Sequence, residues 1–206
     1  MLDARLFVLF LGAATILAIT PGPGIFYVLT RTLAGGRREG VLSALGTLIG
    51  GLVHVVAAGA GLSAILAASA TAYATIKYAG AAYLIWIGIG MIRSRDVKLP
   101  TESKPRGHAF RQGIWTEVLN PKTALFFLSF IPQFVNVSLG HIVLQFLVLG
   151  TVSVILNTSA DLVVIAFAGQ LAKKIESSAR FRRNQRVTSG AAMIGLGAYV
   201  ALSESR

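Results

Sequence analysis

Long apolar runs that no charge interrupts dominate this chain. From Leu6 to Thr30 there is no Asp, Glu, Lys or Arg, and the stretch from Gly40 to Ile76 is equally bare. A bilayer span needs about 20 consecutive apolar residues, and these runs are long enough. Only 13% of the 206 residues are charged and 54% are hydrophobic, whereas a soluble domain carries about 25% charge. The sequence therefore predicts an all-α, polytopic membrane protein. Nothing outside the runs is long enough to bury a core of its own, so one transmembrane domain over 1–206 is expected.

Six spans fit, at about 6–30, 41–67, 72–92, 112–134, 142–171 and 187–203. "LFVLFLGAATILA" near the N-terminus has the look of a signal peptide. However, Asp3 offsets Arg5 ahead of it and the apolar run continues past any cleavage point, so it is read as a retained first span. A turn near 68–71 divides the second span from the third, with Lys77 placed at that turn.

The basic residues then sort by side. Arg31, Arg37 and Arg38, the group from Arg93 to Arg111, and the group from Lys173 to Arg186 fall on one side of the membrane, fifteen in all. Arg5, Lys77 and Arg206 fall on the other. Fifteen against three sets the orientation under the positive-inside rule: both termini outside the cytoplasm, and a basic cytoplasmic loop at 93–111. The net charge of +11 thus reports topology and needs no nucleic-acid partner.

Three spans per half require two similar halves to insert in opposite senses, the inverted-repeat plan of many secondary transporters. Repeat 1 is expected at about 1–95 and repeat 2 at about 107–206. At an offset of 100, Thr20-Pro21 falls on Asn120-Pro121, Phe26-Tyr27 on Phe126-Phe127, and Gly50 on Gly150. At an offset of 110, "GAAYL" resembles "GAAMI".

The prolines sit where those halves match. Pro21 offers no N–H to the Leu17 carbonyl, Pro23 none to Ile19 and Pro121 none to Glu117. Thr-Pro and Asn-Pro are also good N-cap/N1 pairs, so spans 1 and 4 are each expected to break into two half-helices. Pro21 to Arg31 and Arg111 to Pro121 each cover about 15 Å of helix, which puts both breaks near the midplane. Irregular backbone at that depth must be enclosed by protein or by a wet cavity. A half-helix N-terminus there suits a carboxylate. Thr20, Pro21, Gly22, Pro23 and Gly24, with Asn120, Pro121 and Lys122, are therefore the candidate substrate cradle.

Glu117, Lys122 and Asp161 are the charges deep in the predicted spans, where each costs roughly 2.5–3.5 kcal/mol and marks function by default. Lys122 opens a half-helix and wants an anion: Glu117, Asp161 or a substrate carboxylate. Glu117 and Asp161 are the candidates for proton coupling. Asp161 ends a polar stripe of Gly150, Ser153 and Asn157. His54 belongs to a second strip with Ser43, Thr47, Gly50, Ala57 and Gly61, where it reads as a hydrogen-bonded interior residue. Asn157 and His54 are the candidates to line the pathway.

The chain has no cysteine, which excludes disulfides, thiolate metal sites and thiol redox chemistry. There is no phosphate-binding loop for an ATP-driven pump. A haem carrier would need paired histidines, and His54 is alone at its depth. No cofactor or resident metal is expected. An ion or metal-ion transporter of the same architecture is the alternative function, although two acids and one histidine are a thin ligand set.

"TPGPG", "KYAGAAYLIWIG", "LNPKTALFFLSFIPQF" and "GAAMIGLG" together resemble the LysE/RhtB family of amino-acid exporters. The resemblance runs along essentially the whole chain. It implies a bacterial inner-membrane exporter of amino acids or close derivatives, driven by the proton-motive force, with spans 1 and 4 framing the pathway. Its partners would be an amino acid or related zwitterion, protons and membrane lipid, and homo-oligomers are compatible with it. The family's motif residues fall on Pro21, Gly22, Pro23, Asn120, Pro121 and Lys122. Lysine itself is the poorer fit, because a cationic side chain wants more acid in the spans.

Overall fold

Two interrupted rods organise the molecule. The computed structural model describes residues 4–68, 70–94 and 108–203. Among them every regular element is helical: α1 (Ala4–Ile19), α2 (Pro23–Ala68), α3 (Ala70–Arg93), α4 (Ala109–Val118), α5 (Pro121–Leu125), α6 (Ile142–Ser177) and α7 (Ala179–Leu202). Phe126–Phe130 continues α5 as a π-helical turn, followed by tight turns at Ile131–Phe134 and Val137–Leu139. Three stretches within these helices are long and apolar enough to cross a membrane: Pro23–Gly61, Ala74–Arg93 and Ile142–Ile175.

Helix α2 is two rods joined at Gly36. That residue has φ 79° and ψ −176°, a combination open essentially to glycine alone. The loop expected between 30 and 41 is thus a sharp bend within one helical segment. Arg31, expected in that loop, is instead buried in the helix and pairs with Glu39 at 3.3 Å.

Backbone contact holds the bundle together. A Cβ on Gly113 of α4 would lie 2.6 Å from the Ser43 carbonyl, and one on Gly46 of α2 would lie 2.9 Å from the Gly113 Cα. Gly88 of α3 and Gly190 of α7 meet in the same manner, each virtual Cβ 2.5 Å from the other's carbonyl. Small residues permit such approach where lipid supplies no hydrophobic drive between helices. Around these seams lies a core of Phe10, Phe126, Phe127, Phe130, Phe134 and Phe146 with Leu149 and Met193. Its rings stack or meet edge-on, as in Phe126–Phe130 at 5.0 Å and Phe10–Phe134 at 5.5 Å.

Three sequence expectations shift. Lys77 is not at a turn: it lies two turns inside α3, 2% exposed, with its ammonium on the Ser203 carbonyl at the end of α7. The helix expected as the fifth span, α6, runs on to Ser177, and α7, expected to start near 187, starts at Ala179. Lys173, Lys174, Arg180, Arg182, Arg183 and Arg186 therefore extend two helices. Ser178 separates these helices by accepting a capping bond from Phe181 N at 3.1 Å. Arg95, Lys98, Lys104, Arg106 and Arg206 lie outside the described residues, as does most of the expected 93–111 loop.

Candidate functional site

Proline chemistry sets the site. Helix α1 stops at Ile19 and α2 starts at Pro23, while α4 stops at Val118 and α5 starts at Pro121. At the second break Asn120 caps α5, its Oδ1 accepting from Lys122 N at 3.1 Å with Pro121 at the first helical position. At the first break the cap is not Thr20. Its hydroxyl turns back and donates to the Ile16 carbonyl at 2.7 Å, closing α1. The α2 start belongs to Gly22, whose carbonyl accepts from Phe26 N at 3.0 Å, followed by Pro23. Threonine can bond forward or backward along the chain, and two intervening residues leave the backward bond the shorter reach.

The carbonyls released by proline find partners across the molecule. Lys122 Nζ donates to the Leu17 carbonyl at 3.0 Å and to the Thr20 carbonyl at 2.7 Å. The Glu117 carbonyl accepts from Asn120 N at 3.0 Å and from His54 Nε2 at 3.0 Å. Each break is therefore closed partly by its own backbone and partly from outside, the first by the lysine of the second and the second by His54. Gly22 makes room for this: a Cβ there would sit 3.2 Å from Lys122 Cδ and 3.4 Å from Nζ. Lys122 is buried yet makes no ion pair with Glu117 or Asp161. Two carbonyls satisfy it instead, and an ammonium has three donors.

Glu117 bridges its own break. Its Oε1 accepts from Thr123 Oγ1 at 2.7 Å and its Oε2 from Asn120 Nδ2 at 3.1 Å. A Cβ on Gly24 would lie 2.8 Å from Oε2, so this carboxyl lies against the first turn of α2, whose free N–H groups favour negative charge.

Asp161, fully buried, lies further along α6. Its Oδ2 is 2.9 Å from Thr47 Oγ1, and its Oδ1 has no protein partner. The Thr47 hydroxyl also lies 2.9 Å from the Ala44 carbonyl. It holds one hydrogen and cannot donate to both acceptors at once.

One cavity collects both breaks. Its walls are Ala14, Leu17, Ala18, Gly22, Gly24 and Ile25 from the first, Thr47 and Gly51 from α2, and Glu117, Asn120, Lys122, Thr123, Phe126 and Phe127 around the second. Ser153, Val154, Asn157 and Thr158 of α6 complete it. Space for water centres within it is about 30 Å³, enough for a water or two. Of the candidate cradle, Gly22, Gly24, Asn120 and Lys122 line this cavity. Thr20 and Pro21 line a groove on the opposite side of α1, and Pro23 and Pro121 point outward, exposed. The prolines break the rods, and their neighbours furnish the lining. Asn157 lines the cavity, whereas His54 stacks on Phe127 at 5.9 Å behind it and Asp161 is one hydrogen bond away through Thr47. Sequence reasoning missed Thr123 and Thr158. Their signal was weak, a hydroxyl adjacent to Lys122 and another adjacent to Asn157.

The family model described as LysE type translocator matches residues 15–204. The homoserine/homoserine lactone efflux protein of Salmonella typhimurium is 32% identical over 169 residues, covering 81% of this chain and 80% of that protein. An uncharacterized membrane protein of Vibrio cholerae is 30% identical over 99% of this chain and its own full length. The leucine efflux protein of Klebsiella pneumoniae is 30% identical over 63% of each chain. No solved structure matches significantly.

Proposed function

The chain belongs to the LysE type translocator family, and from that premise we propose that it exports amino acids or close derivatives across the bacterial inner membrane in exchange for protons. The six spans form two inverted three-helix repeats, with both termini on the outer face. Relatives named for efflux of homoserine and of leucine support the substrate class. The observation that carries the proposal is the shared cavity, where a cation and an acid from one break lie against the open end of the other.

That pairing fits a zwitterion. The substrate carboxylate takes Lys122 Nζ together with the N–H groups of the first α2 turn, contributed by Gly24 and Ile25. The substrate ammonium takes Glu117, whose oxygens each keep a lone pair beyond their bonds to Thr123 and Asn120. A proton and an ammonium then compete for one carboxylate, which makes their movement an exchange. Asp161 is the second proton carrier. When it is neutral it donates to Thr47, which donates to the Ala44 carbonyl; when it is ionised Thr47 turns toward it. Phe126, Phe127, Leu17 and Val154 leave room for an apolar or small polar side chain and offer a cationic one no acid.

The test is efflux from cells loaded with single amino acids. Cells producing the protein should expel homoserine or leucine faster than cells without it, and collapsing the proton gradient should remove the difference. Expulsion of a divalent cation with amino acids retained would contradict the proposal and favour ion transport.

A further inference from the structure

Between α1 and α7 lies a groove of about 540 Å³, inside the range of about 300–1,000 Å³ typical of small-molecule sites. We infer that it is the vestibule by which a small zwitterion reaches the central cavity from the basic side, and that residues 16–22, pinned by Lys122, are the gate between the two. The inference rests on the export reading above.

One short stretch of chain forms the partition. Leu17, Ala18 and Gly22 face the central cavity, whereas Ile16, Ile19, Thr20 and Pro21 face the groove. The stretch includes the non-helical residues 20–22, where the helical ladder is already interrupted. The bonds from Lys122 Nζ to the Leu17 and Thr20 carbonyls hold it against the second break. A carboxylate arriving at Lys122 competes with those two carbonyls for the same ammonium. Ligand capture and release of the partition are thus one exchange of hydrogen bonds. The central cavity, at about 30 Å³, needs such a movement before it can hold an amino acid, whereas the groove does not.

The α7 wall adds polar groups to a mainly apolar groove. Asn184, Gln185, Thr188 and Ser189 line the groove from α7, and the spacings 184/188, 185/188 and 185/189 put them on one broad helical face. Exposed positions elsewhere include many large apolar ones, such as Val8, Leu9, Trp86, Leu162 and Phe167, as lipid contact requires. At its upper end the groove face reaches Phe181, amid Arg180, Arg182, Arg183 and Arg186. That field draws carboxylates toward the mouth. An anionic lipid headgroup would share this charge, but the amide and hydroxyl side chains of Asn184, Gln185 and Thr188 below it would face acyl chains unpaired.

The absence of cysteine makes the test direct. Gln185→Cys, Thr188→Cys and, as an exposed control on α7 outside the groove lining, Val187→Cys are reconstituted in vesicles. Each is treated from either side with a charged, membrane-impermeant thiol reagent and with a permeant maleimide. The expected result is labelling of positions 185 and 188 by the charged reagent from the basic side. That labelling should reduce export at least fivefold and slow in the presence of excess homoserine or leucine. Position 187 should react with the maleimide alone. Lys122→Ala should speed reaction of the charged reagent with Ala18→Cys, the cavity side of the gate. If positions 185 and 188 behave as 187 does, the groove is lipid-filled and the inference falls. Loss of homoserine and leucine export in Lys122→Ala alongside unlabelled groove cysteines would leave the central site standing without its vestibule. Labelled cysteines in a protein that exports neither amino acid would overturn both readings.

Discussion

Lys122 concentrates most of the account in one side chain. A buried ammonium with only two carbonyls for company is expensive unless a third, anionic partner visits. Gly22 is its companion residue. Gly22→Val puts side-chain carbon where the lysine stem passes, at 3.2 Å already for the first atom. We expect export to fall at least tenfold while the protein still reaches the membrane, checked by efflux alongside immunoblotting of membrane fractions. The acids give a prediction of opposite kind. If export is exchanged for protons as proposed, lowering the external pH at constant internal pH should accelerate the wild type. Glu117→Gln combined with Asp161→Asn has no carboxyl to protonate in the site, and its residual export should not respond to external pH. The breaks and their acids were legible in the sequence because proline's missing N–H is a local fact. The partners of Lys122 were not, since Leu17 and Thr20 lie 105 and 102 residues away and only tertiary packing brings their carbonyls round. Lys77 was misplaced for the same reason: a lone lysine reads as a span edge until the Ser203 carbonyl, 126 residues on, is seen to receive it.

At the scale of elements, bends and seams decide the arrangement. Gly36→Val forces a β-branched residue into φ 79°. It should cost about 1–3 kcal/mol, read as a lower Tm in detergent. Gly113→Leu meets the Ser43 carbonyl at once and should cost at least about 1–3 kcal/mol by overpacking. The Tm should fall further than for the same change at Gly12, where an added Cβ meets nothing within 4 Å. The sequence marked Gly50 as a small residue in the strip with His54, and gave Gly46 and Gly113 no role. It could not say that α2 and α4 would touch backbone to backbone, because that depends on which faces meet. The run-on of α6 and α7 into the basic segments was hidden differently. Arginine and lysine form helix readily, so charge marks where lipid ends without marking where the helix does.

As proposed, the whole molecule is two halves of opposite sense whose breaks converge, oriented by its charge asymmetry. Reporter domains fused beyond α7 and inserted between α3 and α4 should be active on opposite sides of the membrane, with the α7 fusion outside. The proposed repeat rests on a handful of matches at offsets of 100 and 110, few because apolar positions accept many residues. The matches at Thr20-Pro21 and Asn120-Pro121 fall on the two breaks that wall one cavity. The central claim is that this cavity binds the substrate carboxylate through Lys122. Its most direct test is initial-rate efflux of homoserine and leucine by Lys122→Ala and Lys122→Met beside the wild type at equal membrane abundance. The account expects at least a hundredfold loss for both variants, about 2.7 kcal/mol. Export at the wild-type rate in either variant would contradict it.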